Sequence, residues 1–226
     1  MYKDISRLVA QGIDTDSLLL LEQHGRNSQV GLNLVGDSIF TTAIETKLKK
    51  LGIRQYTSAD FWEQPFVVDT EMENPPKAPF TDKAVANDID HVYWSERNSM
   101  SADAAACLQV LTNLTEFKDG HVAVCGRGHA VKGLVNALLA NDYTISQCHS
   151  KTKDMKKVIR NADVIIWTIP DWPFFAGSFP PDPRLIIDVS YRVSKDFTPA
   201  KVMRIGNVTT SIIVNRAIRA YFGART

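Results

Sequence analysis

From residue 121 onward, short apolar runs alternate with stretches of helical periodicity, and this alternation constrains the fold more tightly than any other feature of the chain. His121 to Cys125 reads as a buried strand, Gly126 to Gly133 as a glycine-punctuated turn and Leu134 to Leu139 as a helix. Thr144 to Gln147 reads as a strand and Met155 to Asn161 as another helix, while Val164 to Ile169 and Leu185 to Val189 are further apolar runs of strand length. Strands that alternate with helices build βαβ units, which place helices on both faces of a parallel sheet. The expectation is an α/β protein whose second half is a doubly wound parallel sheet.

The first half follows a less regular pattern. Leu18 to Leu21 fall in a helix, Val30 to Val35 read as a strand, Ser38 to Leu51 as a helix closed by Gly52, and Phe66 to Val68 as a second strand. The segment Asn74-Pro75-Pro76-Lys77-Ala78-Pro79 is expected to be an exposed loop, because proline lacks the backbone donor and fixes φ. Ser101 to Leu114 is alanine-rich and apolar-periodic, a helix that bridges the two halves. With 226 residues, the chain has length for two small domains, expected at 1–100 and 101–226, the second with a C-terminal helix that returns toward the first.

Several classes of function are disfavoured before any motif is considered. A formal net charge of +1 supplies no bulk field for nucleic acid or anionic lipid. The apolar runs fall far short of the ~18 residues that spanning a bilayer requires, and Lys3, Asp4 and Arg7 interrupt a signal-peptide pattern. Cys107, Cys125 and Cys148 are an odd count without metal-ligand spacing, which suits a reducing compartment and buried thiols. We therefore expect a soluble, cytoplasmic protein with no metal site and no nucleic-acid or membrane partner.

The glycine turn is the first chemical signal. In a doubly wound sheet, ligands bind beyond the carboxyl ends of the strands, and the strand-to-helix turn offers backbone N–H groups to a phosphate. Gly126-Arg127-Gly128-His129-Ala130-Val131 departs from the GxGxxG fingerprint only at the third glycine, and it follows a strand and precedes a helix as that fingerprint requires. A tight structural turn without a ligand is the bland alternative. An acid about 20 residues after the glycines would accept from a free ribose 2′-hydroxyl, but the second strand ends instead in Gln147-Cys148-His149-Ser150-Lys151-Thr152-Lys153. Cations and hydroxyls there, with Arg127 in the turn, suit a 2′-phosphate, so NADP is favoured over NAD. Lys156 and Lys157 read as a solvated helix start.

At these residues the sequence resembles the methylenetetrahydrofolate dehydrogenase/cyclohydrolase (FolD) family. Gly126 to Lys132 is similar to the family's Gly-Arg-Ser-x-x-Val-Gly turn, and Cys148 to Thr152 matches its Cys-His-Ser-Lys-Thr segment word for word. Asn161 to Ile166 and Leu185 to Val189 resemble its Ala-Asp-Ile and Val-Ile-Asp-Val strands. The resemblance implies a Rossmann-like NADP-binding domain at 101–226 and a smaller folate-binding, catalytic α/β domain at 1–100. It implies that Arg127 and Ser150 hold the 2′-phosphate and that Gly126, Gly128 and Val131 face the cofactor. Lys151, Thr152 and, at the end of its strand, Ile169 complete the cofactor set. A tetrahydrofolate derivative is the implied substrate and a homodimer the implied assembly.

Elsewhere the family pattern is altered. Aligned from Ser38, Phe40 stands at the family's tyrosine and Ile44 at its catalytic lysine, and neither can move a proton. Phe40, Ile44, Leu48 and Leu51 form one apolar stripe at helical spacing, which reads as core. Lys47, one turn after Ile44, has an arm long enough to substitute, or it is a solvated lysine beside Lys49 and Lys50. Asp88-Ile89-Asp90 resembles the family's Asp-Val-Asp, so Asp90 inherits the pterin-binding role, with a turn-capping acid as the alternative. The family's glycine-rich loop over folate and nicotinamide corresponds to Gly206 to Ser211. Trp94, Trp167 and Trp172 read as walls for an aromatic ligand or as core; His91 adjoins Asp90, and His149 reads as a turn residue. The leading expectation is an NADP-dependent 5,10-methylenetetrahydrofolate dehydrogenase, with cyclohydrolase activity the part of the family's function least expected of this chain. The alternatives are a catalytically lapsed NADP-binding module and an NADP oxidoreductase for another small substrate.

Overall fold

The computed structural model describes residues 12–24, 31–36, 39–51, 54–56, 65–68, 88–90, 100–149, 151–169, 183–193 and 200–223. Contacts divide the chain into two units, 1–96 with 207–226, and 97–206. The proline-rich segment 74–79, His91, Trp94 and Trp172 lie outside the described residues.

The first unit contains helix α1 (Thr15–His24), β1 (Gly31–Val35), α2 (Ile39–Leu51), β2 (Arg54–Tyr56) and β3 (Phe66–Val68). Its sheet is parallel with order β2-β1-β3, so the chain leaves β1 to one side and returns on the other. An isolated parallel bridge from Phe66 to Asp88 extends the sheet beyond β3. Ile44 and Leu48, one turn apart on α2, are fully buried, so these two residues of the apolar stripe are core. The three-residue β2, Arg-Gln-Tyr, carries too little apolar pattern to be read from sequence.

A long helix, α6 (Gly206–Gly223), carries the C-terminal part of this unit. Gly206 to Ser211, matched by resemblance to a glycine-rich loop, form its opening turns instead. With one glycine and no proline left, the segment is free to wind, and the hydroxyls of Thr210 and Ser211 donate to the Asn207 carbonyl at 3.1 and 2.8 Å. Asn215 ties the segment before α1 to this helix. Its Nδ2 donates to the Gly12 carbonyl at 2.9 Å and its Oδ1 accepts the Asp14 N–H at 3.2 Å. Asp14 caps α1 by accepting the Ser17 N–H at 2.9 Å, and Arg219 reaches its other oxygen at 2.6 Å.

The second unit opens with α3 (Ala102–Asn113), capped by Ser101, whose Oγ accepts the Ala104 N–H at 3.1 Å. It continues through β4 (His121–Cys125), α4 (Leu134–Ala140), β5 (Thr144–Cys148), α5 (Met155–Ile159), β6 (Val164–Trp167), β7 (Leu185–Asp188) and β8 (Lys201–Arg204). All five strands are parallel in the order β5-β4-β6-β7-β8. Every residue of β6 and β7 is buried, which is why these strands read as continuous apolar runs rather than alternating ones. The edge strand β8, Lys-Val-Met-Arg, has exposed ends and was invisible to the same criterion.

Burial works to raise the Asp14 carboxyl, but the Ser17 N–H, the Ser17 hydroxyl and the Arg219 guanidinium together hold it below its ordinary 3.8. A folded-state value below the unfolded one stabilises the fold above pH ~4, and that stabilisation is lost as pH falls through the lowered value. Asp14→Ala is expected to cost about 1 kcal/mol at neutral pH, as for loss of a helix N-cap. Chemical denaturation at pH 7 and pH 3 should show the difference from the parent shrinking at the acid end.

Candidate functional site

The strand order reverses at β4, because β5 is added on one side of it and β6 on the other. Such a reversal leaves a crevice beyond the carboxyl ends of the two strands that diverge, where doubly wound proteins bind ligands. Cys125 ends β4 at this point, and the groups around it fix the crevice floor. The Thr168 N–H and its Oγ1 both donate to the Cys125 carbonyl at 3.0 Å, just past the end of β6 at Trp167, two residues short of the expected Ile169. Gly126 donates to the Cys148 carbonyl at 2.7 Å and accepts from Gln147 Nε2 at 3.0 Å. Its φ of 144° and the Thr168 side chain pressed against the position of its missing Cβ leave room for glycine alone.

Gly128 differs in kind. No heavy atom lies within 4 Å of where its Cβ would be, so its face is open and a bound group can approach the backbone there. The turn expected at 126–133 contains a 3₁₀ turn at His129–Val131, and α4 begins at Leu134 as expected, after Gly133 in left-handed conformation. The open backbone therefore lies in the loop at 126–128 rather than at the start of α4. Arg127 is exposed in that loop, Val131 is buried beneath it, and Ile169 is buried in the core cluster with Cys125 and Trp167.

The end of β5 adjoins the same loop, since Cys148 pairs with Cys125. His149, Lys151 and Thr152 are tied together: His149 N–H donates to Thr152 Oγ1 at 2.9 Å, Thr152 N–H to the His149 carbonyl at 2.8 Å and Lys151 N–H to His149 Nδ1 at 3.1 Å. The Thr152 hydroxyl and the His149 ring thus hold the turn's shape, and the Lys151 side chain is exposed. Ser150 lies outside the described residues. Beneath the turn, Cys125 and Cys148 are buried with sulfurs 3.2 Å apart, and the neighbouring Cys148 thiol and burial push the Cys125 thiol up, as befits packed thiols. Trp167 is fully buried core and no wall for a ligand.

In the first unit, both candidate catalytic residues abut α6. The Lys47 ammonium, half-buried, donates to Ser211 Oγ, a pairing across 164 residues that no local pattern reveals. Burial first, and Lys50 second, pull this lysine below its ordinary 10.5. Asp90 and Asp88 are buried, the Ile89 carbonyl between them accepts from Arg216 at 3.3 Å, and burial lowers the Arg216 guanidinium while Asp90 and then Asp88 work to raise it, with Arg219 lowering it further. Ser211 and Arg216 stand five residues apart on α6, about 7.5 Å of helix rise. Among the described residues, no group of three or more His, Cys, Asp or Glu could hold a metal ion, and no helix is long and apolar enough to cross a membrane.

A parallel doubly wound sheet with a glycine loop at its reversal and a cationic side chain in that loop defines a dinucleotide-binding protein of the Rossmann-like class. Residues 101–220 match the family model for the NAD(P)-binding domain of tetrahydrofolate dehydrogenase/cyclohydrolase. The chain belongs to that family. The bifunctional protein FolD of Petrotoga mobilis is 22% identical over 94% of this chain and 85% of its own length. The fold matches the bifunctional methylenetetrahydrofolate dehydrogenase/cyclohydrolase of Thermoplasma acidophilum with a TM-score of 0.67 at 18% identity, covering 98% of both chains. It also matches the Trypanosoma brucei enzyme, solved with NADP and an inhibitor, with a TM-score of 0.63 at 16% identity, over 96% of this chain and 93% of that one.

The two glycines separate structure from ligand. Gly126→Ala is expected to cost at least about 2 kcal/mol, since it combines a disfavoured φ with a collision at Thr168. Gly128→Ala should change stability by less than about 0.5 kcal/mol. If the open face receives a dinucleotide phosphate, the same substitution should weaken NADP binding about tenfold. Thermal melts and a dinucleotide titration of both variants check this.

Proposed function

We propose that the chain is an NADP-dependent 5,10-methylenetetrahydrofolate dehydrogenase. The observation that carries the reading is the open glycine loop at the sheet reversal, with an exposed arginine two residues beyond the end of β4 and the Cys-His-Ser-Lys-Thr turn on the adjoining strand end. The open backbone at Gly128 fits a pyrophosphate, and the guanidinium of Arg127 fits a ribose phosphate, which a planar fork of N–H donors grips better than a lysine. Ser150 and Lys151 would add a hydroxyl and a second cation.

Bound NADP+ supplies the hydride acceptor. The rest of the chemistry asks little of the protein. Loss of hydride from the methylene bridge leaves a cation that the two flanking folate nitrogens stabilise, so the chain has mainly to orient its substrate and exclude competing reactions. Asp90, held buried near Arg216, would accept the paired donors of the pterin edge. Ile44 is enclosed in core, so the proton transfers of a cyclohydrolase step fall to another residue. Pairing of two copies and a cytoplasmic location belong to the same reading, the first checked by light scattering.

Oxidation of methylenetetrahydrofolate should generate NADPH absorbance with NADP+ and much less with NAD+. Arg127→Ala should raise KM for NADP+ about 30-fold, the scale of one charge-assisted hydrogen-bonded contact, and leave KM for NAD+ within about twofold. No turnover with either cofactor would remove the dehydrogenase assignment. NADP binding without turnover would then favour the lapsed module.

A further inference from the structure

Cys125 and Cys148 are the last residues of β4 and β5 and stand opposite each other in the register of the sheet. Register partners on neighbouring strands have Cα atoms about 4.8 Å apart and side chains on the same face. A disulfide needs roughly 4.4 to 6.8 Å between Cα atoms, so the sheet already holds these two at bridging separation. The sulfurs lie 3.2 Å apart, closer than the roughly 3.5 to 4.0 Å at which apolar atoms pack. Around them the cluster is apolar, with Ile159 of α5, Ile165 and Trp167 of β6, and Ile169. Neither thiol takes part in the cofactor contacts proposed above.

The three cysteines differ in their chemistry. Burial first, and Asp103 second, push the Cys107 thiol on α3 well above its ordinary 9.0, which suits an inert core residue. At Cys148 the balance reverses, because the hydrogen bond with Cys125 outweighs burial and holds this thiol below 9.0. The chain runs from Cys125 directly into Gly126 and Arg127, and from Cys148 into the segment that His149 ties to Lys151 and Thr152. Gly126 has no slack: its N–H is held by the Cys148 carbonyl at 2.7 Å, and Thr168 fills the space beside its Cα. A shift of Cys125 is therefore passed to Arg127. The open backbone of Gly128 lies three residues beyond Cys125, on the side from which a small solute enters.

We propose that Cys125 and Cys148 are a thiol/disulfide couple, an oxidation site for small hydroperoxides whose disulfide displaces the dinucleotide loop. The hold on the loop rests on the NADP reading above; the couple itself does not. The Cys148 thiolate attacks one oxygen of hydrogen peroxide and the O–O bond breaks. The departing hydroxide combines with the proton that Cys148 released, leaving a sulfenic acid and one water. The Cys125 sulfur then attacks the sulfenic sulfur, the S–O bond breaks, and the hydroxide leaves with the Cys125 proton as a second water. Two thiols are oxidised by two electrons to one disulfide, and one peroxide is reduced to two waters. Bridging brings the sulfurs from 3.2 Å to about 2.05 Å, so the strand ends are drawn together or turned by up to about 1 Å. Arg127 moves with them, and a guanidinium placed for a 2′-phosphate loses its fork geometry.

Reduced protein treated with hydrogen peroxide, then unfolded and assayed for free thiols and for linked peptides by mass spectrometry, tests this. Free thiols should fall from three to one, the survivor being Cys107, with a cross-link between Cys125 and Cys148 that dithiothreitol removes. Oxidised protein should bind NADP+ about tenfold more weakly than reduced protein, within the usual range of coupling between two sites. By reciprocity, saturating NADP+ should raise the midpoint potential of the couple by about 30 mV, the two-electron equivalent of tenfold. Cys125→Ala should give no cross-link and a Cys148 sulfenic acid that dimedone captures, and Cys148→Ala should give neither. Thermal melts identify a variant that fails to fold, in which case the parent cross-link and the potential shift decide. Three thiols left after peroxide, equal loss at Cys107, or sulfinic acid in place of the cross-link would overturn the couple. A cross-link with unaltered NADP+ affinity would overturn its hold on the loop alone. A cross-link in a protein that binds no NADP+ would overturn that hold together with the dinucleotide reading.

Discussion

The ends of three neighbouring strands are pinned to one another at Cys125. Its carbonyl holds Thr168 from β6, and the glycine that follows it is bonded to Cys148 and Gln147 of β5. Because the strand order reverses here, the same contacts that finish the sheet also shape the crevice. Gly126 is what permits this closeness. A side chain at that residue would separate the loop from Thr168 and move Arg127, which stands next in the chain. The placement of Arg127 thus depends on a packing constraint one residue away.

The first unit uses the same topological device on a smaller scale, a parallel sheet whose order reverses at its first strand. Its polar groups are organised by the C-terminal helix, which meets Gly12 and Asp14 through Asn215, Lys47 through Ser211 and the 88–90 segment through Arg216. These contacts join residues that lie between 127 and 203 positions apart in the chain. Such long closures cost conformational entropy before they return any contact energy.

The strands buried on both faces were legible because nothing polar can interrupt them; β6 and β7 are continuous apolar runs for that reason. The glycine loop was legible because its residues are set by backbone conformation and close approach, which only a few residue types satisfy. The short strands β2 and β8 were hidden, since three or four residues with polar or charged ends carry no periodicity. The 3₁₀ turn before Gly133 was hidden too, as His-Ala-Val suits several conformations equally. Lys47 could be named from its spacing to Ile44, but its partner could not. A serine in the second turn of a helix signals nothing until the fold sets a lysine against it.

Calorimetric titration of the unaltered protein with NADP+ and with NAD+ tests the central claim most directly, because it asks only whether the crevice holds a phosphorylated dinucleotide. The account requires saturable one-site binding of NADP+ at least tenfold tighter than that of NAD+, about 1.4 kcal/mol or more. Equal affinities, a preference for NAD+, or no heat from either dinucleotide would contradict it.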